Sequence, residues 1–212
     1  MARGRCTNAP AILAAIGLAA ATSARAAEPD RVDVELRVIR YAGLGDADAQ
    51  AAAETAAAVL ASAGIAARWR ECGGGRRCDN PHASRVIRVH LLPTTKAADP
   101  GASGDAVRDA EGTLIVLVYL PAVSTVVDAV RRSPAGRSHP ALSTVTAGHV
   151  VGITIAHEIG HLLGLTHSAA GVMKPRLSAD DLAAARTSGL TFHPEERRRI
   201  LSALEPLQTV RK

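Results

Sequence analysis

The stretch His157-Glu158-Ile159-Gly160-His161-Leu162-Leu163-Gly164-Leu165-Thr166-His167 restricts this chain more than any other. On a helix, residues four apart lie only some 40° apart in azimuth at about 100° per residue, so His157 and His161 can reach one ion. Glu158 is offset by about 100° and can hold a water beside that ion without being a ligand. Gly164 stands where the helix should stop, because glycine tolerates the left-handed conformation that ends helices. The chain then turns back and can bring in His167 as a third ligand. A bare H-E-x-x-H also occurs on ordinary amphipathic helices as surface residues. Here the third histidine and the glycine bring the fixed positions to five. Three neutral nitrogen ligands with an open fourth position describe a single catalytic zinc ion rather than a structural one.

The first residues read as a targeting segment. Arg3 and Arg5 form a positive start, Ala9 to Ala21 is an apolar run of small residues, and Ala24-Arg25-Ala26 is an A-x-A cleavage site. The run is shorter than the about 20 apolar residues a membrane span needs, so no stable membrane anchor is expected. Cys6 precedes the apolar run, which disfavours lipoprotein processing. Residues 1–26 are thus expected to be a signal peptide, and 27–212 one catalytic domain that is secreted or periplasmic. The formal charge of +5 includes Arg3, Arg5 and Arg25, so the mature chain is nearly balanced. With scattered basic residues and 2% aromatics, nucleic acid is not an expected partner. A monomer is the working expectation. Cys72 and Cys78 flank a glycine-rich loop in an exported chain and are expected to form one disulfide. With His82 nearby they match no common zinc spacing.

Period-two alternation marks several strands. Asp30 to Tyr41 places Val32, Val34, Leu36 and Val38 on one side and Asp33, Glu35 and Arg37 on the other. An alanine-rich helix follows over Ala47 to Ala63, with Asp46 as N-cap and Gly64 closing it. Ile65 to Glu71 alternates with Ile65, Ala67 and Trp69 inward. Arg85 to Leu92 puts Ile87, Val89 and Leu91 inward and leaves His90 as a solvated strand residue. After a loop over Thr94 to Gly104 comes a short strand, Asp105 to Arg108. The apolar run Thr113 to Leu120 follows, expected to be a strand covered on both faces and closed by Pro121. Val123 to Arg132 reads as a short helix and Ser133 to Pro140 as a loop. A largely buried helix from Ser143 or Thr146 to Leu163 carries the first two histidines, with His149 at its start and not a ligand. Ser178 with Asp181 makes a capping box, and Pro194 with Glu195 and Glu196 opens a final helix.

H-E-x-x-H-x-x-G-x-x-H followed by Met173, six residues after His167, resembles the signature of the metzincin zinc metalloproteases. The order strand, helix, two strands, edge strand, strand and zinc helix is similar to their N-terminal subdomain. The resemblance implies an α+β fold: a twisted, mostly parallel five-stranded sheet with an antiparallel edge strand, a backing helix and a zinc-site helix. It places the subdomain boundary near residues 164 and 165, with a small irregular C-terminal part ending in a helix. It implies zinc held by His157, His161 and His167, with Glu158 as general base, and Met173 under the ligands without binding metal. It also implies that the rim Gly104, Asp105, Ala106 and Val107 pairs with extended polypeptide substrate, and that residues 169–173, Gly171 and Val172 among them, shape a specificity pocket. No tyrosine follows Met173, so the arrangement is closer to the matrixin-like branch than to astacins and serralysins. An unassigned bacterial-type subfamily stays open. The short stretch between Ala26 and the first strand leaves no room for a cysteine-bearing pro-segment.

Zinc would lower the pKa of its water towards about 7, and Glu158 would take the proton and deliver it to the leaving amine. The expected activity is that of an exported zinc endopeptidase. A zinc-stabilised scaffold without turnover, which would have no use for Glu158 as a base, and a zinc amidase acting on non-peptide amides stay open beside it.

Overall fold

A computed structural model describes residues 31–41, 43–73, 78, 85–186 and 189–205. The expected leader over 1–26, Cys6 and His82 lie outside the described residues. Strands β1 (Val32–Arg40), β2 (Ile65–Cys72), β3 (Val86–Leu92), β4 (Gly104–Arg108) and β5 (Leu114–Tyr119) form one sheet in the order β2-β1-β3-β5-β4. All neighbours are parallel except β4, which runs antiparallel to β5 at the edge. The fold is therefore α+β, with a five-stranded, mostly parallel sheet and one antiparallel edge strand.

The alternation read from the sequence sets which face is dry. Val34, Leu36 and Val38, Ile87, Val89 and Leu91, and Leu114, Val116 and Val118 are all buried in one core. The opposite face carries Asp33, Glu35, Arg37, Arg68, Arg70 and Arg88. Here Glu35 accepts from Arg37 at 2.8 Å and pairs with Arg70 at 3.4 Å, and Arg68 meets Asp33 at 2.8 Å. Ile115 and Leu117 project on this second face and are only half-buried. The expectation that β5 is covered on both faces is thus corrected: an unbroken apolar run does not by itself show a second covering layer. His90 is also less solvated than expected. Its Nδ1 lies 3.1 Å from Tyr41 Oη, and burial, with Arg88 adding, pushes its pKa down.

Helix α1 (Asp46–Ser62) packs on the dry side against α5 (Ala147–Leu162). Their approach is close because α5 turns small residues towards α1. A Cβ on Gly152 would lie 2.6 Å from the Ala52 carbonyl oxygen, and one on Gly148 would collide with the Asp48 backbone. The Gly148 N–H donates to Asp48 Oδ1 at 3.0 Å across the same contact. Alanines on α1 thus serve packing as well as helix propensity. Its N-cap is Gly45 and not Asp46. Asp46 is the first helical residue and pairs with Arg40 at 2.9 Å.

Pro121 does not merely close β5; it lies in the first turn of α2 (Leu120–Arg132), a position that suits its missing N–H. The expected loop over 133–140 holds a short helix, α3 (Pro134–Ser138), capped by Ser133 Oγ accepting from Gly136 N–H at 2.9 Å, and a second, α4 (Pro140–Ser143), begins at its last residue. Beyond α5, helices α6 (Ala179–Arg186) and α7 (Pro194–Leu204) follow irregular stretches. Leu182, Ile200 and Leu204 join the same core as the sheet. The expected Ser178–Asp181 box is present, with Ser178 N–H donating to Asp181 Oδ2 at 2.7 Å and Asp181 N–H to Ser178 Oγ at 3.3 Å. Cys72 and Cys78 are disulfide-bonded, with Cα atoms 5.6 Å apart. No helix of the described residues is long and apolar enough to cross a membrane.

Candidate metal centre

Helix α5 opens at Thr146, where His149 completes a capping box: its Nδ1 accepts the Thr146 N–H at 3.1 Å. That contact keeps His149 at the helix start, as its position in the sequence indicated. At the other end the chain leaves in a Schellman turn. Gly164 adopts φ +86°, Gly164 N–H donates to the His161 carbonyl at 3.0 Å, and Leu165 N–H donates to the Gly160 carbonyl at 2.9 Å. This turn reverses the chain so that His167 comes back over the helix.

The three imidazoles converge through their Nε2 atoms. His161 Nε2 lies 3.0 Å from His157 Nε2 and 3.2 Å from His167 Nε2. Zinc–nitrogen bonds of about 2.0–2.1 Å arranged tetrahedrally would set ligand nitrogens roughly 3.3 Å apart, so the spacing fits. The tautomers fit as well. His157 Nδ1 lies 2.8 Å from the Val172 carbonyl and His161 Nδ1 lies 2.9 Å from the Leu165 carbonyl. A carbonyl oxygen can only accept, so each Nδ1 carries the proton and each Nε2 keeps its lone pair for a metal. Burial pushes the His157 pKa down, which favours the neutral ligand form. His157, His161 and His167 can together hold one metal ion.

Glu158 sits beside this cluster and is buried, only 8% exposed. Burial pushes its carboxyl up to about 7, with Asp105 adding and Lys96 opposing. Such a group can both take and return a proton near neutral pH. Its neighbour is the edge strand: a Cβ on Gly104 would lie 2.6 Å from Thr154 Cγ2 and 2.7 Å from Glu158 Oε1. Glycine at position 104 therefore lets β4 come close to the helix that carries the acid. Thr154 Oγ1 donates to Ser103 Oγ at 3.3 Å and ties the same two elements together.

Met173 is fully buried and lies directly against Gly160, where any Cβ would collide with its sulfur. Val172 is also fully buried, so its side chain faces the core. Its contribution to the site is the carbonyl that orients His157. Gly171 supplies φ +72° for the turn. A cleft of about 610 Å³ opens over the three histidines and Glu158. Gly104 and Asp105 line it, whereas Ala106, Val107, Gly171 and Val172 do not. The pocket expected from residues 169–173 is instead lined by Lys174, Pro175, Arg176 and Leu177, with Val126, Val150, Ile153 and Leu182 behind. The reason is that 172–173 are consumed in supporting the ligands. Sequence reading missed these liners and the Val172 and Leu165 carbonyls. It also passed over the small residues Gly148, Gly152, Ala156 and Gly160, whose spacing of four was visible in the chain.

No protein-family model matches the sequence, and no curated protein matches it. Among solved structures, the crystal structure of archaemetzincin from Methanopyrus kandleri is similar in chain path. It shares 15% identity, with a TM-score of 0.47 over 84% of this chain and 97% of that one.

Proposed function

We propose that this chain is an exported zinc-dependent peptidase of metzincin type, cleaving within polypeptides. The observation that carries the reading is the convergence of three Nε2 lone pairs beside a buried carboxyl group, in a cleft bordered by an edge strand. When bound, zinc supplies Lewis acidity, lowering the pKa of water and polarising the scissile carbonyl. His157, His161 and His167 hold the ion, and the Val172 and Leu165 carbonyls fix the orientation of two of them. Glu158 accepts the proton of the attacking water at its carboxylate and donates it to the departing nitrogen. An extended substrate lies along β4, whose outer edge ends the sheet and offers backbone groups for pairing.

The signal-peptide pattern before Ala26 supports export. The deciding experiment is Glu158→Gln in purified mature protein. The variant should bind one zinc per chain like wild type while chelator-sensitive cleavage of a peptide library falls by about 10³-fold. Unchanged cleavage in that variant, or no cleavage by zinc-loaded wild type, removes the reading.

A further inference from the structure

Five ionisable side chains outside the histidine cluster line the cleft, and four of them are already engaged. Glu158 belongs to the chemistry. Asp105 pairs with Lys96 at 2.8 Å, and Asp99 Oδ1 accepts the Gly101 N–H at 3.2 Å. Lys174 donates to Asp181 Oδ2 at 2.6 Å, and that same oxygen also accepts the Ser178 N–H and O–H at 2.7 Å each. The fifth is Arg176. Arg176 lines the cleft, is exposed, and pairs with no acid among the described residues. Asp180, the acid nearest in sequence, forms no ion pair with it, and Asp181 already takes three hydrogen bonds on one oxygen. Apolar residues, among them Leu177, Leu182 and Ile153, line the same cleft.

An exposed, unpaired guanidinium on a residue that lines the cleft presents a fork of N–H donors matched to a carboxylate. We propose that Arg176 determines specificity by binding a substrate carboxylate close to the hydrolysed bond; the inference rests on the peptidase reading above. The carboxylate has two sources, an Asp or Glu side chain or the free C-terminus of a short peptide. Pro175, with its fixed φ, and the Lys174–Asp181 anchor restrict the backbone that carries Arg176. The backbone at Arg176 is thereby restricted before substrate arrives, which lowers part of the ordering cost of binding.

The test uses acetylated peptides of one sequence with Glu or Gln at each position flanking the cleaved bond, each made as C-terminal acid and amide. For zinc-loaded wild type, kcat/KM should favour the carboxylate-bearing member by about tenfold. Arg176→Gln should bring that ratio to about one, Arg176→Glu should invert it, and Arg176→Lys should keep part of it. A preference that follows the acid over the amide assigns the C-terminus as source; one that follows Glu over Gln assigns the side chain. A wild-type ratio near one, or a ratio unchanged in Arg176→Gln, overturns the proposal while leaving the peptidase reading intact. Equilibrium binding of the same peptides to the Glu158→Gln protein supplies a readout without turnover. If wild type cleaves nothing, the peptidase reading falls. Tighter binding of the carboxylate peptide, lost in Glu158→Gln/Arg176→Gln, then still supports Arg176 as its site, and equal binding overturns that too.

Discussion

The cleft is lined by two chain segments that are held in opposite ways. Residues 104–108 form a strand whose register to β5 runs through five successive residue pairs, from Gly104 with Val118 to Arg108 with Leu114. Residues 168–177 have no such ladder and are fixed at separate points. Met173 is buried against Gly160, Val172 N–H donates to the Thr191 carbonyl at 3.2 Å, and Ser168 N–H donates to the Met173 carbonyl at 3.0 Å. Lys174 is tied to Asp181. A distributed ladder tolerates the loss of any one side chain, whereas point anchors do not. The second segment also holds a ligand through the Val172 carbonyl. Damage to it should therefore reach the metal, and damage to the strand should reach the acid.

The largest expected effect tests the point-anchored segment. Met173→Ala empties a fully buried site beneath the ligands and should cost about 2–5 kcal/mol in denaturant unfolding. Zinc affinity should fall as well, because the Val172 carbonyl loses its fixed position. Met173→Leu should cost less than about 1.5 kcal/mol and keep most zinc binding. If Met173→Ala leaves zinc affinity unchanged in a competition titration, the segment is not coupled to the ligands in the way its contacts indicate.

Next comes the pH dependence of the acid beside the strand. Glu158 has its folded-state pKa raised to about 7 by burial, so the folded protein holds a proton that the unfolded chain releases near 4.5. Folding is therefore favoured at low pH by this group, and the advantage is lost as pH rises from about 4.5 to 7. His157 runs the other way, since its lowered pKa favours folding above its unfolded value. The informative quantity is thus wild type minus Glu158→Gln in metal-free protein, where the histidine contribution largely cancels. That difference should decline by up to about 3 kcal/mol across the interval, and zinc loading should flatten it. A difference independent of pH would mean that the strand does not desolvate Glu158.

The same contrast governs what could be read from the chain. His157, His161 and Gly164 were legible because ligand spacing and helix termination are local consequences of the helical period. Strands β1, β2 and β3 were legible because alternation reports one dry face. Gly104 to Arg108 was visible as a short strand. Its closeness to Glu158 was not, since it depends on which helix packs behind the sheet. Residues 169–177 were harder still. Nothing local says that Val172 gives its carbonyl to His157 and hides its side chain, or that Arg176 rather than Gly171 lines the cleft. The helices over 133–143 were missed because Pro134 and Pro140 read as loop residues, although proline suits a first helical turn. Gly45 rather than Asp46 caps α1 because Asp46 is drawn to Arg40.

The strand's own weak point is its close approach to the helix. Gly104→Ala places a methyl group 2.6 Å from Thr154 Cγ2 and 2.7 Å from Glu158 Cγ, so one of them must move. The ladder to β5 should limit the loss of stability to about 1–3 kcal/mol. The loss should show mainly in kcat, since Glu158 is the group displaced, with zinc stoichiometry unchanged. If Gly104→Ala loses zinc before it loses turnover, the assignment of strand to acid and loop to metal is reversed.

The smallest expected effect isolates the last point anchor. Burial works against the charge on Asp181, but the Lys174 ammonium and the Ser178 N–H and O–H outweigh it and hold its pKa below the ordinary 3.8. A depressed carboxylate contributes stability above its unfolded pKa and loses it as pH falls through the folded value. Wild type should therefore exceed Asp181→Asn by about 1 kcal/mol near neutral pH, a partly exposed pair being worth no more. The margin should vanish on acidification below the folded pKa. Because the Lys174 anchor that restricts the backbone of Arg176 is lost in the same variant, the carboxylate preference measured for wild type should fall in part. An unchanged preference would leave Asp181 with a role in stability alone.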